Sequence, residues 1–159
     1  MIRLIFVCTG NICRSPTAEG LMRSLVEEAG LADRIQVDSA GTMGWKSGCA
    51  PDPRSTATAR SRGIALDGKA RPIELEDLES SDYMLAMDRS HLQDLTALTR
   101  DPGIEQKIRL LRSFDPEAPP DAEVPDPYAG GPQGFENVFD MCQAGCEGLL
   151  AHLRQKHDI

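Results

Sequence analysis

The apolar run Leu4-Ile5-Phe6-Val7 stops at Cys8, passes through a short polar loop, and resumes as an amphipathic stretch at Ser15-Pro16. A continuous apolar strand needs cover on both faces, which a parallel sheet supplies. A helix directly after such a strand begins a βαβ unit, so this junction commits the chain to an α/β architecture. Ser15 suits an N-cap, Pro16 the first helical position and Gly30 the residue past the end, predicting a helix over Pro16–Ala29. Leu21, Met22 and Leu25 share one face of it.

The alternation continues downstream. Ile35–Ser39, Asp82–Met87 and Lys107–Leu111 read as further strands, separated by helical patterns at Pro53–Arg62, Glu74–Leu78 and Arg89–Leu98. Gly41–Pro53, rich in Gly, Pro and Ser around Trp45, reads as a surface loop. Ser113–Gly134, proline-rich and acidic, is too long for an ordinary connector and is a candidate functional loop. Phe135, Val138, Phe139, Cys142, Cys146, Leu149 and Leu153 then mark one apolar stripe on a last helix of about twenty residues. No repeat or linker divides the chain. The expectation is a single doubly wound domain over residues 1–159, with a parallel sheet flanked by helices and an anion-binding loop after its first strand.

Charge narrows the partners. With 17 Lys and Arg against 25 Asp and Glu, the net charge is −8, which disfavours nucleic acid and anionic membrane surfaces. No apolar run reaches the length of a membrane span, and Met1–Cys8 is too short for a signal peptide. Five cysteines, an odd number without secretory context, point to a reducing cytoplasm. Any anion must be captured by a local device.

Cys8-Thr9-Gly10-Asn11-Ile12-Cys13-Arg14-Ser15-Pro16 has the makings of one. Successive amides in a tight loop form an anion nest, and the following helix adds free N–H groups and the positive end of its dipole. Arg14 offers a planar fork for two oxygens of a tetrahedral oxyanion. Such surroundings bring a thiol from about pKa 8.5 into the range of roughly 3.5–7.5, and Ser15 is placed to donate to the Cys8 sulfur. A nucleophilic sulfur beneath bound phosphate oxygens implies covalent phosphoryl transfer. That route also needs an acid and a base. His91, His152 and His157 are the only histidines, so carboxylates are the better candidates: Asp115-Pro116, or Asp126-Pro127-Tyr128 followed by Gly130-Gly131.

The Cys8–Pro16 loop, the Trp45 loop and Asp126-Pro127-Tyr128 together resemble the low-molecular-weight protein tyrosine phosphatases, over essentially the whole chain. The resemblance implies a four-stranded parallel sheet, Cys8 as nucleophile, Arg14 as oxyanion clamp and Asp126 as general acid, then base. It implies that Thr9, Gly10, Asn11, Ile12, Cys13 and Ser15 shape the phosphate site, and that Trp45 and Tyr128 wall the substrate ring. It further implies a Cys8–Cys13 redox pair, no metal or organic cofactor, a monomer, and phosphotyrosyl proteins as substrates, bacterial tyrosine kinases among them.

The chain also departs from the family's pattern. Ala129 stands where many members carry a second aromatic, and no histidine occurs near Gly68 to brace the loop. Ile12 offers apolar bulk where a phosphoarginine-cleaving branch resembles threonine, which favours an aryl group here. Arsenate reduction, the rival chemistry, needs cysteines in mid-chain, yet none occurs between Cys49 and Cys142. A silent phospho-binding module would need neither Cys8 nor Asp126. Cys142 and Cys146 read as core rather than as zinc ligands with Cys8 and Cys13, and Asp88 reads as a helix N-cap or as support for the site from behind.

Overall fold

The computed structural model describes residues Met1–Ile159. Four parallel strands, β1 (Ile2–Cys8), β2 (Ile35–Gly41), β3 (Tyr83–Ala86) and β4 (Ile108–Leu110), form one sheet in the order β2-β1-β3-β4. Helices α1 (Arg14–Glu28), α2 (Pro53–Ser61), α3 (Leu75–Ser80), α4 (Arg89–Thr96), α5 (Pro102–Glu105) and α6 (Pro132–His157) cover it, with a 3₁₀ turn at Leu111–Phe114. The short α5 has no counterpart in the sequence reading. Asp101 caps it through a bond from the Gly103 amide, and Pro102 opens it, which suffices for one turn.

β1 is buried from Leu4 onward because it lies between β2 and β3 with helices on both sides. Leu4, Phe6 and Cys8 face the larger core, built with α1 and α6, while Ile5 and Val7 face the smaller one beneath α3 and α4. α6 contributes Val138, Phe139, Cys142, Cys146, Leu149 and Leu153 to the larger core. Both cysteines of the last helix are therefore core residues; burial pushes the Cys142 thiol up to about 12 and that of Cys146 upward as well. α6 lies hard against the 3₁₀ turn at Gly148, where a Cβ would stand 1.8 Å from the Phe114 carbonyl oxygen.

The start of α1 differs from expectation. Its first residue is Arg14 and its N-cap is Cys13, which makes no side-chain capping bond. The Ser15 hydroxyl is instead turned toward Cys8 and Asn11. The acidic face of α3 also carries more than solvent, since Asp77 ion-pairs with Arg71 at 2.9 Å and closes a capping box with Glu74.

No helix is long and apolar enough to cross a membrane. Placing β1 between β2 and β3 makes the carboxyl ends of β1 and β3 neighbours, with Val7 opposite Ala86, and chain direction diverges there. Open α/β sheets bind ligands at such a point.

Candidate active site

The loop after β1 turns its amides and its carbonyls in different directions. The carbonyls of Cys8, Thr9 and Ile12 accept from the amides of Thr42, Met43 and Asp52, and that of Cys13 accepts from Thr17. The amides of Thr9 through Cys13 donate to no protein acceptor. A loop whose carbonyls are consumed outside and whose N–H groups are uncommitted is an anion nest at a helix N-terminus.

This shape rests on Asn11, whose φ of 58° lies in the left-handed region that asparagine tolerates better than most residues. Its side chain is fully employed: Nδ2 donates to Ser15 Oγ at 2.8 Å and Ser39 Oγ at 2.9 Å, and Oδ1 accepts from the Arg71 amide at 3.0 Å. Ser39 donates onward to Glu19, a buried carboxylate also paired with Arg23 at 2.5 Å. Burial raises the Glu19 carboxyl above its ordinary value, against the opposing pull of Ser39 and Arg23. Ser15, Ser39 and the Arg71 amide thus brace the loop through Asn11 from the β2 side. Gly41, at the end of β2, permits the contact behind it; a Cβ there would stand 2.6 Å from the Thr9 carbonyl oxygen and 3.2 Å from the Asn11 amide nitrogen.

Cys8 lies at the cup floor, buried, with Sγ 3.0 Å from Ser15 Oγ. Because Ser15 Oγ accepts from Asn11, its own proton is available to the sulfur. Burial pushes the neighbouring Cys13 thiol up to about 12, so it is protonated at neutral pH. Both cysteines are free thiols.

Arg14 reaches across the loop's rear. Nη1 donates to Asp88 Oδ2 at 2.7 Å and to the Val124 carbonyl at 3.0 Å, while Nη2 lies 3.5 Å from Thr9 Oγ1. Nε has no protein acceptor, which leaves the Nε side of the fork for an anion. Burial works to raise the Asp88 carboxyl, but hydrogen bonds from Ser90 and Arg14 and the adjacent His91 outweigh it and hold it at about 2. Asp88 fills both roles considered for it: it caps α4 through the Ser90 and His91 amides and neutralises the buried guanidinium.

Val124 also brings in the proline-rich loop. Its amide donates to the Met87 carbonyl and its own carbonyl accepts from Arg14, fixing the chain two residues before Asp126. The exposed Asp126 carboxylate accepts from the Tyr128 amide at 2.9 Å. The Arg54 guanidinium stacks between Tyr128 and Phe135, 5.1 and 4.6 Å from their ring centres. One cleft of about 480 Å³, solvent at its mouth included, is lined by Cys8, Thr9, Gly10, Ile12, Cys13 and Arg14 below and by Trp45, Lys46, Tyr128 and Asp126 above. Asn11 and Ser15 stand behind the loop instead and shape it. Trp45 and Tyr128, 72 % and 48 % exposed, stand at the mouth of the cleft. Lys46, His91, Ser39 and Glu19 have no role at the site in the sequence analysis; the only cue for His91 is its spacing with Leu95 on the buried face of α4.

The fold and cleft define a class: α/β enzymes that hold an oxyanion over a cysteine at the end of the first strand. The family model for low molecular weight phosphotyrosine protein phosphatase matches residues 3–158, and the chain belongs to that family. A low molecular weight protein-tyrosine-phosphatase of Streptomyces coelicolor is 46% identical over 155 residues, covering 97% of this chain and 94% of the relative. The crystal structure of a protein tyrosine phosphatase from Entamoeba histolytica, with Hepes in its active site, superposes with a TM-score of 0.94 at 36% identity, covering 99% of each chain. A Drosophila arginine phosphatase superposes with a TM-score of 0.89 at 33% identity, covering 96% of this chain and 98% of its own.

Proposed function

We propose that the chain hydrolyses phosphotyrosine in proteins through a cysteinyl-phosphate intermediate. One observation carries the reading: Cys8, bonded to the Ser15 hydroxyl, lies beneath loop amides without protein acceptors, in the same cleft as Asp126.

The amides of the loop and the Arg14 fork take the non-bridging phosphoryl oxygens and gain strength as charge develops on them. Cys8 Sγ attacks phosphorus from below, the P–S bond forms and the P–O ester bond breaks. Asp126 gives its proton to the departing phenolate. With the phenol gone, the Asp126 carboxylate takes a proton from water, whose oxygen attacks phosphorus. The P–S bond then breaks, inorganic phosphate leaves and the thiolate is restored. Ser15 donates to the sulfur as negative charge returns to it when the P–S bond breaks.

Trp45, Tyr128 and the apolar Ile12 side chain favour an aryl group, whose phosphorus stands far enough from the peptide to reach the loop. Ile12 supplies no hydrogen-bonding partner for the guanidinium of phosphoarginine. The expected substrates are phosphotyrosyl proteins, including tyrosine kinases, handled by a monomer in the cytoplasm without metal or organic cofactor.

The test is to quench the enzyme in acid during turnover of an aryl phosphate and map the phosphorylated peptide. Phosphate on Cys8, with turnover abolished in Cys8→Ser, is expected. Near-wild-type turnover by Cys8→Ser would overturn the reading. Faster hydrolysis of phosphoarginine than of phosphotyrosine peptides would overturn the substrate class.

A further inference from the structure

His91 is the one fully buried histidine, and both of its ring nitrogens are used. Nδ1 accepts the Asp88 amide proton at 3.2 Å, completing the capping box at the start of α4. A neutral ring that accepts at Nδ1 carries its proton on Nε2, so Nε2–H donates to Thr9 Oγ1 at 2.8 Å. Burial, and then the nearby Arg14 cation, favour this neutral form, against the opposing charges of Asp88, Asp94 and Asp126.

Thr9 is the residue after the nucleophile, and its hydroxyl also stands 3.5 Å from Arg14 Nη2. Since Oγ1 accepts from His91, its own proton is uncommitted, and Thr9 lines the cleft. Asn11 and Ser15 hold the loop from the β2 side through Ser39 and Glu19; nothing on that side touches Thr9's hydroxyl. The β3 side holds it through one imidazole.

We infer that His91 is a positioning residue for phosphoryl transfer: it fixes the Thr9 hydroxyl beside Arg14 and thereby sets the anion-binding geometry of the loop. The inference rests on the phosphatase reading above and adds to it a second anchor, reached from α4. His91 touches no reacting atom, and its effect passes through Thr9.

Two substitutions separate the cap from the anchor. Asn at position 91 is short: its carbonyl takes the place of Nδ1 and keeps the Asp88 amide bonded, as Asp77 does for Glu74 in α3, but its amide does not reach Thr9. Gln is longer and places a donor near the Nε2 position. His91→Asn is therefore expected to lower kcat/KM for an aryl phosphate about tenfold, the effect of one lost hydrogen bond in a buried site. It should weaken orthovanadate binding by a similar factor with little change in melting temperature. His91→Gln recovers most of the loss. Thr9→Val matches His91→Asn, and the double variant Thr9→Val/His91→Asn is no worse than either alone, because each removes the same contact.

The inference is overturned if His91→Asn binds vanadate and turns over like wild type, if Gln fails to rescue, or if the two losses multiply. A wild-type protein that forms no phosphocysteine defeats the phosphatase reading itself, whereas a competent wild type with uncoupled variants defeats only the role of His91. Vanadate affinity is read without turnover and distinguishes the two failures.

Discussion

Arg14 Nη1 stands 2.7 Å from Asp88 Oδ2, joining the start of α1 to the end of β3 across 74 positions of sequence. The guanidinium is 4% exposed and the carboxylate 21%, so the pair sits behind the loop and not on the surface. Asp88→Asn keeps one acceptor but leaves a buried cation without its counter-charge. The expected loss is on the order of 2–3 kcal/mol at neutral pH, read from urea unfolding. The sign with pH follows from a carboxyl held at about 2 in the fold against about 3.9 in an unfolded chain. Its contribution is present above about pH 4 and disappears as pH falls toward about 2. Wild type and Asp88→Asn therefore converge in stability over that interval, and a constant difference would contradict the pairing.

Asp126 should matter in proportion to how poor the leaving group is. For phosphotyrosine, whose phenol has a pKa near ~10, Asp126→Ala is expected to slow phosphocysteine formation by about 10²–10³. An ester of a much more acidic phenol should slow far less in single-turnover measurements. Equal slowing of both would show that Asp126 donates no proton.

Cys13 is a protonated thiol next to the nucleophile, so peroxide should act first at Cys8. Oxidation of Cys8 to the sulfenic acid consumes one peroxide; the Cys13 thiol then displaces water to form the disulfide, and a dithiol returns both to thiols. Wild type is expected to recover activity after mild peroxide and reduction, whereas Cys13→Ala should not. Peptide mapping that finds only sulfinic Cys8 in wild type would reject the pair.

Gly41→Ala tests the close approach of β2 to the loop. Its Cβ would meet the Thr9 carbonyl at 2.6 Å, the Met43 carbonyl at 3.1 Å and the Asn11 amide at 3.2 Å, all backbone atoms. Strain of about 1–3 kcal/mol is expected, together with weaker vanadate binding, because the atoms displaced belong to the anion cup. Calorimetry and a vanadate titration read the two effects.

Glu19 gives a pH dependence of opposite sign. Burial raises its carboxyl in the fold, so the contribution of the protonated form is complete below about pH 4, the unfolded value, and is lost as pH rises through the folded value. Glu19→Gln still accepts from Ser39 but cannot ionise. Its stability relative to wild type should rise with pH above about 4, with Cys8 turnover retained. A flat difference would show that Glu19 is no more reluctant to ionise in the fold than in the unfolded chain.

The legible parts of this protein are those whose residues are neighbours along the chain. β1, its loop and α1 were readable because strand, glycine, arginine and Ser-Pro follow one another directly, and the loop's chemistry is a property of successive amides. The stripe of α6 was readable because a helix brings residues three and four apart onto one face. Where local signals competed, the reading slipped: Ser15 has the composition of an N-cap, but its hydroxyl is taken by Cys8 and Asn11, and the helix begins at Arg14. How the distant parts of the site come together is decided only by the tertiary structure, although Asp88 as a support for the site is already a reading of the sequence. Asp88, His91 and Val124 meet the loop from 74, 82 and 110 positions away. They meet it because parallel pairing of β1 with β3 sets Val7 beside Ala86 and delivers both strand ends to one edge. Composition and spacing do not encode that adjacency; it is decided when the strands choose their order, as each buries its apolar faces against the rest of the chain.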